Sequence, residues 1–145
     1  MPTLHPIANS RKCTTSELMY SWPLGSPFAT IHVDLWQPGE AKSKTGIKYF
    51  LNAMCDMTQF IIITPTKDIH AHTLAHLFMQ EVLLKVGFCV TIMVDDGSSF
   101  KAEFKSMCEI LNICYHALAK GNHQALSIEC FHHYLKKAVT IAINA

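Results

Sequence analysis

Arginine is almost missing from this chain: Arg11 is the only one in 145 residues, and lysine supplies the rest of the positive charge. Twelve Lys and Arg against eleven Asp and Glu leave a formal net charge of +1. No global field therefore announces a polyanionic partner, and any nucleic-acid contact has to be local. There is no run of about five basic residues to read as a nuclear localisation signal. Nor does any apolar stretch approach the roughly 18 residues that a membrane-spanning helix needs, and residues 1–5 lack the basic-then-apolar pattern of a secretory signal. The chain is expected to be soluble and intracellular. The C-x-x-C pattern is absent too, although there are six cysteines (Cys13, Cys55, Cys89, Cys108, Cys114, Cys130). Several lie in apolar runs, where cysteine acts as a small hydrophobe, so structural thiols are expected rather than disulfides or zinc ligands.

What is present suits one ordinary hydrophobic core, since a domain of this length buries roughly 68–70 % of its unfolded surface. Residues 1–27 hold four of the six prolines and show no sustained periodicity. Residues 1–24 are expected to be an arm or linker and residues 25–145 the folded domain. Alternation over 29–36 predicts a strand with Ile31, Val33 and Leu35 on one face and His32, Asp34 and Trp36 on the other. Strands are also expected over 48–55 and 59–64, the second ended by Pro65, which makes an antiparallel meander. Asp68 is a candidate N-cap for a helix carrying Leu74, Leu77, Phe78, Val82 and Leu84 inward, with Gly87 as its stop.

The apolar run 88–94 reads as a buried strand ending in a turn at Asp95, Asp96 and Gly97. Ser98 or Ser99 can cap a following helix whose stripe is Phe100, Phe104, Met107, Cys108 and Leu111, and 113–118 reads as a last strand. A final helix over 125–143 is expected to face the core with Phe131, Tyr134, Leu135, Ala138 and Ala142. Glu129, His133, Lys136 and Thr140 would share the opposite side. The order is βββαβαβα, an α/β domain with a five-stranded mixed sheet and helices on its faces.

Three carboxylates stand where elements end or face inward: Asp34 inside an apolar strand, Asp95 or Asp96 at a strand end, and Glu129 on a helix. A carboxylate between Val33 and Leu35 needs a cation, a donor cluster or a metal if it is buried, and a strand end at the surface if it is not. The lack of any arginine outside residue 11 shifts weight toward a divalent ion held by oxygen, beside the even-handed alternative of a strand end at the surface.

These strings carry a family resemblance. His32-Val33-Asp34-Leu35-Trp36, then Val94-Asp95-Asp96-Gly97-Ser98-Ser99-Phe100, then Gly121-Asn122-His123-Gln124-Ala125-Leu126-Ser127-Ile128-Glu129-Cys130-Phe131-His132 resemble, in order, the Asp-Asp-Glu core of retroviral and retrotransposon integrases. The copia-type elements look most alike. The resemblance covers about residues 25–145 and implies a ribonuclease H-like fold, with Asp34, Asp95 and Glu129 as the catalytic and metal-binding triad. Two features depart from the usual pattern: Asp96 stands where asparagine is usual, and the interval between Asp95 and Glu129 is slightly short.

The resemblance further implies two Mg²⁺ ions, or Mn²⁺, about 3.5–4 Å apart, which activate the attacking oxygen and stabilise the leaving one at phosphorus. The implied activity is polynucleotidyl transfer: trimming of a DNA 3′ end, then strand transfer into a target duplex. It implies DNA as partner, a homo-oligomer and action in the nucleus. Lys136 matches a family lysine that contacts DNA, and His133, Lys120 and Asn122 are further candidate nucleic-acid contacts. Family members also carry an N-terminal His-His-Cys-Cys zinc module, for which His5 and Cys13 alone lack the ligand spacing. Two rival readings stay open: a non-catalytic or domesticated nucleic-acid-binding relic, and a ribonuclease H-like nuclease acting on RNA or hybrid. His72 and His76 have a zinc-pair spacing, but Thr73 stands where H-E-x-x-H has Glu, so solvated histidines are expected there.

Overall fold

The computed structural model describes residues 26–39, 45–95, 98–118, 131–138 and 141. The arm expected over 1–24 lies outside them, as do Asp96, Lys120, Asn122 and Glu129. Strand-favouring residues, β-branched in β1 (Thr30–Trp36) and β3 (Ile61–Thr66) and aromatic at the start of β2 (Tyr49–Cys55), build the first three strands. A helical segment α1 (Ala71–Phe78) continues through a wide π turn (Met79–Leu83) into a short α2 (Leu84–Val86). Then come β4 (Thr91–Asp95), a 3-10 turn at Ser98–Phe100, α3 (Glu103–Ile110), β5 (Cys114–Leu118) and a helix α4 over 131–138. The sheet order is β3-β2-β1-β4-β5. The first three strands form the expected antiparallel meander, and β4 and β5 run parallel to β1.

One face of this sheet makes the core. Ile31, Val33, Leu51, Ala53, Ile92 and Val94 join Leu74, Phe78, Val82 and Leu83 from the first helical segment and Phe104, Met107 and Cys108 from α3. The rings of Phe78 and Phe104 lie 5.5 Å apart, and those of Phe100 and Phe104 5.2 Å, in the tilted and edge-on arrangements that aromatic quadrupoles favour. The expected stripe of α3 is therefore correct.

Several boundaries differ from the sequence reading, each for a local reason. The π turn adds a residue to one helical turn, so Val82 and Leu83 are buried in succession while Leu84, expected inside, is exposed. Pro65 does not end β3 but lies within it, opposite Phe50; β3 is an edge strand, where a missing N–H is tolerated. Phe88 and Val90 are exposed, because pairing with β1 starts only where the N–H groups of Val90 and Thr91 donate to the Ala29 carbonyl. Gly87 does stop the helix, at φ +92°, a conformation that suits glycine.

Helix capping also departs from expectation. Neither serine caps α3, whose N-cap is Ala102 at φ 53°. Asp68 stands two residues before the N-cap His70, yet its carboxylate accepts the His70 N–H at 2.9 Å and the Thr73 hydroxyl at 2.9 Å. The backbone N–H of His70 leads the effects that hold its carboxyl below the usual range.

The cysteines divide. Cys55, Cys89 and Cys108 are free and buried as expected, and desolvation pushes the thiol of Cys89 up to about 11 and that of Cys108 to about 12. Burial pushes Cys55 up as well, but hydrogen bonds from Thr58, Phe28 and Met57 outweigh it and leave that thiol below its ordinary value. Cys114 departs from the thiol reading: it is disulfide-bonded, and it sits half-buried at the start of β5 rather than sealed in the core.

Candidate active site

Parallel pairing of β1 with β4 runs through Val33 opposite Val94. The next residue on each strand is a carboxylate, Asp34 and Asp95. Since His32 pairs with Met93 and side chains alternate, Asp34 and Asp95 emerge at one level on the same face of neighbouring strands, which are spaced about 4.8 Å apart. That face is the one opposite the core. The Asp34 side chain is 24 % exposed, whereas Asp95, paired with Leu118 at the end of β4, is open to solvent.

Asp34 is held from two directions. Across the hairpin its partner is Asn52, so the two side chains share a face. From above, His132 on α4 brings its Nε2 to 3.2 Å from Asp34 Oδ2 and to 3.0 Å from Asn52 Nδ2. The imidazole is stacked beside Trp36 at 6.2 Å, and Trp36 in turn lies 5.7 Å from Phe50. His32, one pleat earlier on β1, is buried and pairs with Asp56 at 2.8 Å. The sequence-derived face of His32, Asp34 and Trp36 is thus the face that carries the polar chemistry.

The docking of α4 corrects the expected helix face. Phe131 and Leu135 are half-buried, as foreseen, but His132 joins them, while Tyr134 and Ala138 are exposed. The helix meets the sheet's polar face through an imidazole, so a purely apolar stripe misjudged its rotation. His133 and Lys136 are exposed on this helix, and the His133 ring lies edge-on to Tyr134. Of the expected triad, Asp34 and Asp95 are brought together and Glu129 lies outside the described residues; among those residues no three His, Cys, Asp or Glu side chains form a metal-holding group. His70, His72 and His76 are exposed.

Sequence reasoning missed His132 and Asn52. A signal for Asn52 existed, because a lone amide between Leu51 and Ala53 is the same anomaly as a lone carboxylate between Val33 and Leu35. Its position opposite Asp34 depends on the hairpin register, which the strand sequence alone leaves free.

No protein-family model matches the chain. Over 88 residues, 60 % of its length, it is 26 % identical to the retrovirus-related Pol polyprotein from transposon 412 of Drosophila melanogaster, and it spans only 7 % of that polyprotein. Its backbone is similar to the catalytic core domain of BIV integrase, with a TM-score of 0.64 and 16 % identity over 81 % of this chain and 72 % of that one. The catalytic core domain of HTLV-2 integrase in complex with magnesium, in its trimeric form, gives a TM-score of 0.62 and 14 % identity, with the same shares covered. The chain has the ribonuclease H-like fold of retroviral integrase catalytic cores.

Proposed function

We propose that this chain is the catalytic core of a retrotransposon integrase, a polynucleotidyl transferase that trims DNA 3′ ends and joins them to a target duplex. The observation that carries the reading is the emergence of Asp34 and Asp95 side by side from parallel strands, in a fold shared with integrase cores. Hard carboxylate oxygens suit Mg²⁺ or Mn²⁺ better than a thiolate-seeking ion. Asp34, Asp95 and Glu129 would hold two such ions, which supply Lewis-acid stabilisation of the oxygens that attack and leave phosphorus. The magnesium in the HTLV-2 core supports that cofactor class.

DNA is the proposed partner, met by Lys136 and His133 on the exposed side of α4 and by Lys120 and Asn122. Residues 25–145 are the proposed catalytic domain, and residues 1–24 the arm leading into it. The dimeric and trimeric forms of the HTLV-2 core support a homo-oligomer. The nucleus is the proposed compartment, as strand transfer into a target duplex would require.

The test is cleavage of a short duplex end in Mg²⁺ or Mn²⁺ by the wild type and by Asp34→Asn. Losing several kcal/mol of transition-state stabilisation predicts at least about a hundredfold slower cleavage in the variant. Wild-type protein that folds yet leaves the duplex intact would overturn the enzymatic reading. Preference for an RNA–DNA hybrid would move it to a ribonuclease.

A further inference from the structure

Among the described residues, the Oδ1 atom of Asn52 is the one buried side-chain polar atom without a hydrogen-bond partner, and the residue is 2 % exposed. The other end of the amide, Nδ2, faces His132 Nε2 at 3.0 Å. A ring nitrogen either donates or accepts in its plane, not both. As an N–H, Nε2 of His132 donates to Asp34 Oδ2 and then repels the Nδ2 hydrogens of Asn52; as a bare nitrogen it accepts from Asn52 and repels the carboxylate. The negative charge decides in favour of the N–H, since a hydrogen bond to an ionised group is the stronger of the two. Turning the amide over would bring its oxygen to the ring N–H but leave Nδ2 in the place Oδ1 now holds, so whichever way it is set one of its polar atoms stays unmatched inside the protein. For packing alone, leucine or valine would be more stable here than such an amide.

We infer that Asn52 and His132 are positioning residues for Asp34: the amide fixes the imidazole, and the imidazole fixes the carboxylate rotamer while tying α4 to the sheet. The inference rests on Asp34 being a metal ligand in the proposed function. It extends that function to a hydrogen-bond chain from β2 through α4 to β1, of the kind that orients ligands from outside the coordination shell. Trp36, stacked on the same ring, keeps His132 from swinging away.

The experiment measures Mn²⁺ binding to the full chain by electron paramagnetic resonance of the free ion. His132→Ala is expected to weaken binding about 10–100-fold, the usual consequence of losing an outer partner. His132→Gln, whose amide nitrogen reaches as far as Nε2, restores most of it, and Asn52→Leu falls between. In the metal-free chain, ¹⁵N spectra of labelled histidine should show the His132 Nε2–H signal, displaced in Asp34→Asn and in Asn52→Leu. Unaltered Mn²⁺ affinity in His132→Ala, or a His132 signal blind to both neighbours, overturns the inference and leaves the functional reading standing. A wild type that binds no Mn²⁺ overturns both. Should His132→Ala fail to fold, equal affinities in His132→Gln and Asn52→Leu decide against the inference.

Discussion

The two faces of the sheet differ by one step along each strand and obey different rules. Toward α1 and α3, β1, β2 and β4 turn the aliphatic side chains of Ile31, Val33, Leu51, Ala53, Ile92 and Val94, and the rings of Phe78, Phe100 and Phe104 interlock above them. Toward α4 the same strands present His32, Asp34, Asn52 and Asp95, with Met54 and Met93 between. Burial does not separate the two, since His32, Asn52 and His116 are sealed almost as well as the core. What separates them is completeness: the apolar face satisfies itself, whereas the polar face is held by specific pairs and leaves one amide short. Under the proposed function, polar side chains kept on this face at the expense of stability serve a ligand.

Substitutions on either face should therefore separate folding from chemistry. Phe104→Ala, which opens the aromatic cluster, is expected to lower unfolding free energy by about 3–5 kcal/mol in denaturant titrations. Cleavage per folded molecule should stay near wild type. Asp34→Asn is expected to do the reverse, abolishing cleavage while shifting stability by no more than about 1–2 kcal/mol. Equal stability losses in the two variants would mean that the polar face is structural after all. Asn52→Leu removes an unsatisfied buried amide and should raise stability by about 1 kcal/mol even as it loosens metal binding; a lower melting temperature would contradict that assignment.

The smallest effect concerns pH. Desolvation lowers the pKa of His116 below its ordinary 6.5, so the folded chain prefers the neutral ring. The stability this preference contributes is present in full above 6.5 and is lost as pH falls from there through the lower folded value. His116→Leu should flatten the decline of melting temperature between about pH 7 and 5; an unchanged slope would assign that decline to other groups.

Much of the contrast between faces was legible in the chain itself. Period-two alternation put Asp34 with His32 and Trp36, and the stripe from Phe100 to Leu111 located the inner side of α3. The order of elements followed from turn residues and from the switch between periods. Less legible were features that depend on partners far along the chain. Leu84 was misplaced because a π turn changes the phase of a helix without leaving a compositional mark. The rotation of α4 was misjudged because His132, neither apolar nor an expected ligand, is what docks. Phe88 and Val90 fit the pattern of a strand interior by hydrophobicity, yet both face solvent.

Pro65 bears on a property that no catalytic argument touches. An edge strand rich in Ile61, Ile62 and Ile63 is the kind of template on which unrelated chains add themselves and aggregate. An imino acid inside that strand offers no N–H to a newcomer, so any added strand meets a gap in its ladder two residues past the last isoleucine. The same residue that breaks the rule for strand interiors thus acts as a gatekeeper, and the colloidal solubility of the domain depends in part on it.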